Sequence, residues 1–258
     1  MDHSSERLSD TGNNARPSRL GPTLVQVLSA TIGATALLAF SIFIFTGPWE
    51  LLVFYTDTRA VLVFDLCLSL LFFVQHSGMV RRSFKAWLER LLPACYHGAL
   101  YSIASGITLF CVVFLWQASA PALLSADGAA RIAMRVLFLT TLGVIAWSHL
   151  ALHSVDSFGL RAIGNHLRGK SQPTATFIEQ GPYRWIRHPQ YACILVMLWS
   201  YPDLTADRLL LNLLWSIWVV IGTRLEERDL AITIGDQYRE YQSRVPMLIP
   251  SLAKKRSR

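Results

Sequence analysis

Arg187, His188, Glu226 and Glu227 are the side chains best suited to hold a charged ligand in this chain. The first two lie in a cationic, aromatic stretch that opens at Gly181, includes Tyr183, and runs through Arg187, His188 and Pro189 to Tyr191. Pro189 suits the first position of a helix, where its missing N–H costs nothing and its φ is preset. His188 then falls at the cap, beside the unpaired N–H groups and the positive end of the helix dipole. With Arg187 alongside, that helix start suits a carboxylate or phosphate. Glu226 and Glu227 offer carboxylates to a cationic group. Tyr238 and Tyr241, at i and i+3, share one helical face and offer aromatic walls. Each feature taken alone also fits a plainer role: a basic juxtamembrane loop, a solvated helix end, tyrosines anchored in a membrane belt.

The elements that must position these residues are apolar and long. The chain has 258 residues, of which 52% are hydrophobic and 16% charged, and its mean hydropathy is +0.36. That composition excludes an ordinary soluble domain. The net charge of +7 is confined to particular connections, which points away from a nucleic-acid-binding face. Cys67, Cys95, Cys111 and Cys193 show neither Cys-x-x-Cys nor metal-ligand spacing, so neither a disulfide framework nor a metal site is expected. The apolar runs cover residues 24–46, 60–78, 98–117, 132–152, 189–201 and 209–223. They predict an all-α, polytopic integral membrane helical bundle of about six transmembrane helices. The run from Pro189 is short for a full crossing, so the hairpin it forms with the last run is expected to be tilted or incompletely spanning. Residues 1–22 read as a flexible polar tail, 23–250 as the membrane domain and 251–258 as a basic tail. The first apolar run reads as a retained helix rather than a signal peptide. A short interfacial helix is expected near Arg81, Arg82, Lys85 and Arg90.

Charge gives the orientation. The first, third and fifth connections carry few cations (Arg59 and Arg208), whereas the second, the fourth and the C-terminal segment carry many. The positive-inside rule then places both termini in the cytoplasm, with every residue named in the opening paragraph on that side. His76 lies at the cytoplasmic end of the second run, beside Gln75. His149 and His153 lie near the end of the fourth, and Asp65 lies deeper, with no role assigned.

The pattern Gly181-x-Tyr183, Arg187-His188-Pro189-x-Tyr191, Glu226-Glu227-x-x-Leu230, Gly235, Tyr238, Tyr241 and Val245-Pro246 resembles the isoprenylcysteine carboxyl methyltransferase superfamily, and within it the bacterial methanethiol S-methyltransferase branch. Gln75 to Arg81, Phe158 to Arg161 and Arg244 to Pro250 add to the resemblance, which covers roughly residues 60–250. It implies S-adenosylmethionine as methyl donor, enclosed by the Arg-His-Pro-x-Tyr and Glu-Glu motifs. The implied cofactor-binding set is Gly181, Tyr183, Arg187, His188, Pro189, Tyr191, Glu226, Glu227, Tyr238 and Tyr241. Cationic and helix-terminal groups would take the donor's carboxylate, glutamates its ammonium and ribose, tyrosines its adenine. Arg187, His188 and Glu227 are the catalytic candidates: Arg187 to stabilise a thiolate, His188 or Glu227 to accept its proton. His76 and Trp199 are the substrate-pocket candidates. Methanethiol, giving dimethyl sulfide, is the acceptor the resemblance implies. A lipid or prenylcysteine acceptor, or a nurim-like non-catalytic membrane protein, are the alternatives. Two departures bear on the acceptor: Cys193 stands where the family often has Gly, and the stretch from Trp199 to Arg208 differs from the branch pattern.

Overall fold

The computed structural model describes residues 20–152, 156–171, 177 and 179–250. Its helices, in chain order, are α1 Leu20–Thr46, α2 Thr58–Met79, α3 Arg82–Leu88, α4 His97–Leu115, α5 Gly128–Ala151, α6 Leu160–Leu167, α7 Pro189–Trp199, α8 Ala206–Thr233 and α9 Asp236–Arg244. Five segments are long and apolar enough to cross a membrane: α1, α2, Ala94–Leu115, α5 and α8. The chain is a multi-pass integral membrane protein, and large apolar side chains such as Leu38, Val63, Val74, Leu139 and Leu150 stay exposed on its helices, as lipid contact requires. The short helix expected near Arg81 appears as α3, and the short run from Pro189 appears as α7, which has 11 residues. At about 1.5 Å per residue, α7 is far shorter than the roughly 30 Å of bilayer hydrocarbon.

The core is built from rings. Phe72 stacks on Trp215 at 5.0 Å and Phe73 on Trp218 at 4.7 Å, joining α2 to α8. The indole N–H of Trp215 donates to Ser69 and that of Trp218 to Ser77, so these two helices run side by side in the same direction. On the other flank, α1 and α4 approach closely. A Cβ on Gly106 would lie 2.7 Å from Ile32, and one on Gly33 would lie 2.3 Å from Ser102.

Two sequence expectations are corrected. The last apolar run, read as ending at Thr223, continues as helix to Thr233. Its final turns are rich in Leu, Glu and Arg, which favour helix without being apolar, so hydropathy understates the length. Arg208, counted as a cation of the fifth connection, lies in the first turns of α8 and is 1% exposed. Its Nη2 donates to the carbonyls of Ile44, near the end of α1, and Leu198, near the end of α7, at 3.0 and 3.3 Å. Its guanidinium sits 4.6 Å from the Tyr201 ring. A buried cation is thus set against the negative ends of two helices at once. Beside it, Asp207 accepts from the Trp116 indole and from the Ser119 backbone and hydroxyl. Asp65, left without a role by the sequence, accepts from the Gln117 backbone N–H at 3.0 Å and so closes the end of α4.

Trp199 donates to Ser216, halfway along α8, at 3.1 Å. The short α7 therefore lies beside the C-terminal half of α8, and residues 200–205 carry the chain back to the start of α8. There Leu124 and Ser125 pair with Leu204 and Asp203 in a minimal antiparallel ribbon. The Phe158-Gly159 motif is explained by docking. Gly159 has φ 69°, and a Cβ there would lie 2.4 Å from the Ala99 nitrogen. Gln26 and Ser29 of α1 donate to the Leu160 and Phe158 carbonyls.

Candidate active site

The helix start expected at Pro189 is present, with His188 at its N-cap. Opposite it stands the charged extension of α8, and over both lies α9 with the chain that follows. Arg187 lays its guanidinium edge-on along the Glu227 carboxylate, Nε to Oε1 at 2.8 Å and Nη2 to Oε2 at 2.7 Å. His188 Nε2 lies 2.6 Å from Oε1, the Tyr238 hydroxyl donates to Oε1 at 2.7 Å, and the Gln242 amide donates to Oε2 at 2.6 Å. Since the ionised carboxylate only accepts, His188 carries its proton on Nε2. A carboxylate offers about four lone-pair positions, so the five hydrogen bonds from these four side chains saturate Glu227. It is 7% exposed, as is His188. Arg187 also holds the returning chain: its Nη1 donates to the main-chain carbonyls of Gln242 and Val245.

The returning chain fixes the arrangement. The N–H groups of Arg187 and His188 donate to the Pro246 and Met247 carbonyls at 2.9 and 3.1 Å. The Val245-Pro246-Met247 motif thereby straps the loop before α7 to the end of α9. Tyr238 and Tyr241 share the inner face of α9, as their spacing predicts, and Phe177 packs edge-on against both. Tyr241 donates to the Tyr183 carbonyl. Burial pushes the Tyr183 phenol up to about 12, with the Glu226 charge adding to the shift. Burial likewise raises Tyr238 and Tyr241 above the ordinary tyrosine range, so all three remain neutral donors. Gly181 contributes shape: its φ is +54°, and a Cβ there would lie 3.1 Å from Ala151.

Glu226, one residue before the saturated carboxylate, has different surroundings. Its one hydrogen-bond partner among the described residues is the Tyr191 hydroxyl, 2.6 Å from Oε2. Its charge also acts on the Tyr183 phenol. The Tyr191 ring stacks on His188 at 5.4 Å. Behind Tyr101 is His76, whose Nε2 lies 2.6 Å from the Tyr101 hydroxyl and whose ring packs against Phe72 and Trp218.

Arg187, His188, Pro189, Tyr191, Glu226, Glu227, Tyr183, Tyr238 and Tyr241 thus converge, and His76 pairs with Tyr101. Trp199 does not. It ends α7, roughly 16 Å along the helix from His188, and its ring is exposed. His149 is exposed on α5, and His153 lies outside the described residues. Sequence reasoning missed Gln242 and Tyr101. Gln242 lies four residues after Tyr238, on the same helical face, and that spacing was a usable signal. Tyr101 is a polar ring in an apolar run, and only packing brings it to His76.

The isoprenylcysteine carboxyl methyltransferase (ICMT) family model matches residues 139–233, the segment that carries Arg187, His188, Glu226 and Glu227. A methanethiol S-methyltransferase from Pseudomonas deceptionensis is 34% identical over 192 residues, which are 74% of this chain and 73% of that protein. The chain belongs to the isoprenylcysteine carboxyl methyltransferase family. Another family relative, a methanethiol S-methyltransferase from Mycobacterium tuberculosis, is 33% identical over 74% of this chain and 79% of its own length. Nurim from Rattus norvegicus is 30% identical over 71% of this chain and 73% of its own length. No solved structure matches the chain.

Proposed function

We propose that this family member is an S-adenosylmethionine-dependent S-methyltransferase of the bacterial inner membrane, and that it converts methanethiol to dimethyl sulfide with its site facing the cytoplasm. The observation that carries the reading is the unequal pair of carboxylates, Glu227 saturated by protein donors and Glu226 bonded to Tyr191 alone amid phenols. Two relatives named methanethiol S-methyltransferase support the acceptor, and the clustering of cations at the site's end of the bundle supports the orientation.

The donor, when bound, supplies an electrophilic methyl on a sulfonium. The residues fit it. Glu226 has acceptor capacity left for an ammonium or for ribose hydroxyls. The free N–H groups at the start of α7, beside His188, suit a carboxylate. Tyr183 and Tyr191 supply apolar faces for a purine. Arg187 is a positioning residue in this reading, because its fork is committed to Glu227 and to the strap. His188, held by Glu227 through Nε2, leaves Nδ1 as its basic nitrogen. Small, volatile thiols are weakly acidic, so the protein's contribution is chiefly placement and exclusion of water.

Headspace analysis of membranes given methanethiol and S-adenosylmethionine tests the reading: dimethyl sulfide should form, and should need both. Methylation of prenylcysteine instead would move the acceptor to a lipid. Donor binding with no product from either acceptor, or no donor binding at all, would favour the non-enzymatic reading that the similarity to Nurim keeps open.

A further inference from the structure

The loop from α2 to α4 encloses a small pocket that the site above does not use. It has a volume of about 120 Å³ and lies under α3, between Met79 and Val80 at the end of α2, Phe84 and Leu88 on α3, and His97 and Tyr101 on α4. Tyr101 therefore links this pocket to His76, whose Nε2 lies 2.6 Å from its hydroxyl. We infer that this pocket is the acceptor site, sized for a short alkyl thiol, with His97 as the polar contact for the thiol group.

Size, lining and one unpaired atom support this. An apolar cavity of about 150 Å³ accommodates benzene, so a partly open pocket of 120 Å³ matches a ligand of a few heavy atoms. The lining is apolar on the α2 and α3 sides, as a methyl or short alkyl group requires. His97 Nε2 is buried and has no hydrogen-bond partner, an arrangement that costs free energy unless a ligand supplies one. A thiol S–H is a weak donor, and a thiolate an acceptor, so either form can pair with an imidazole nitrogen. Exposed Lys85 also borders the pocket and places a positive charge where a thiolate would be favoured. The inference rests on the proposed thiol methyltransferase activity. It also gives the Met79-Val80 part of the Gln75-to-Arg81 motif a role, which the carboxylate cluster does not.

The test uses a thiol series and one binding measurement, with full-length protein in membranes. Parent enzyme should prefer methanethiol and ethanethiol and lose kcat/KM steeply with longer chains. Phe84→Ala should relax that preference by about tenfold for a four-carbon thiol, with donor affinity unchanged. Independently of activity, maleimide labelling of Val80→Cys without donor should be slowed by saturating dimethyl sulfide, the thiol-free product. A parent that methylates no thiol overturns the functional reading and this inference with it. A parent active on methanethiol, with size preference unchanged in Phe84→Ala, or with unprotected labelling at position 80, overturns the pocket assignment alone.

Discussion

Arg187 and Glu227 stand 40 residues apart in the chain and meet in two parallel hydrogen bonds of 2.8 and 2.7 Å. The pair ties the loop before α7 to the far end of α8, and the Nη1 bonds of the same guanidinium add the C-terminal strap. Glu227 has no acceptor capacity left over, and Arg187 commits its Nε–H, both Nη1 hydrogens and one Nη2 hydrogen to protein acceptors. In the proposed function their effect on ligands is indirect, through His188, which Glu227 holds by Nε2.

Arg187→Lys keeps the charge of the loop, and hence the topology signal, but cannot reproduce the fork. Activity should fall at least about tenfold, and the variant in detergent should aggregate at lower temperature, since truncating one partner of a buried pair costs up to about 3–5 kcal/mol. Monodispersity after heating and product formation measure the two effects. A variant as active and as heat-stable as the parent would remove Arg187 from the keystone role.

Glu226→Gln and Glu227→Gln should separate. The first removes a charge that the proposed function assigns to the donor and should weaken S-adenosylmethionine binding by about ten- to a hundredfold, a loss of roughly 1.5–3 kcal/mol, while leaving stability near that of the parent. The second removes the acceptor on which Arg187, His188, Tyr238 and Gln242 converge and should lower stability first. Donor titration beside thermal denaturation distinguishes them, and the opposite pattern would reverse the two assignments.

Orientation is checked by cysteine accessibility. Arg239→Cys on exposed α9 should react with an impermeant maleimide only from the cytoplasmic side, and Leu124→Cys in the ribbon only from the other. Labelling of position 239 from outside would invert the topology and the site with it.

The raised phenols give a pH dependence of known sign. A tyrosine whose folded pKa lies above its unfolded value of about 10 stabilises fully below that value and loses its contribution as pH rises through the folded one. For Tyr183 the loss should run from about 10 to about 12. Ultraviolet titration of folded protein should show phenols that stay un-ionised at pH 10, and their absence would contradict the burial described for Tyr183, Tyr238 and Tyr241.

Much of this arrangement was legible in the sequence. Pro189 fixed the start of α7, apolar runs located the long helices, and the i, i+3 pair of tyrosines named the inner face of α9. What escaped was whatever depended on two elements meeting. Arg208 reads as a loop cation because its partners, the carbonyls of Ile44 and Leu198, are backbone atoms with no sequence signature. The pairing of Arg187 with Glu227 has no local signal either, because the two stand 40 residues apart. Phe158-Gly159 was legible as a motif, yet its cause, the approach of Gly159 to the Ala99 backbone, is visible only in the packing.

Arg208 also constrains how the chain enters the bilayer. With 11 residues, α7 cannot hold a crossing by its own length, and its last carbonyls find their buried cation only in the first turns of α8. An arginine entering hydrocarbon alone costs roughly 2.5–3.5 kcal/mol on insertion scales. Each segment offsets the other's penalty, so α7 and α8 should leave the translocon together as one hairpin, with the ribbon at its tip. Because Arg187 sits before the first of these helices and Glu227 near the end of the second, the site is among the last features of the protein to come into being.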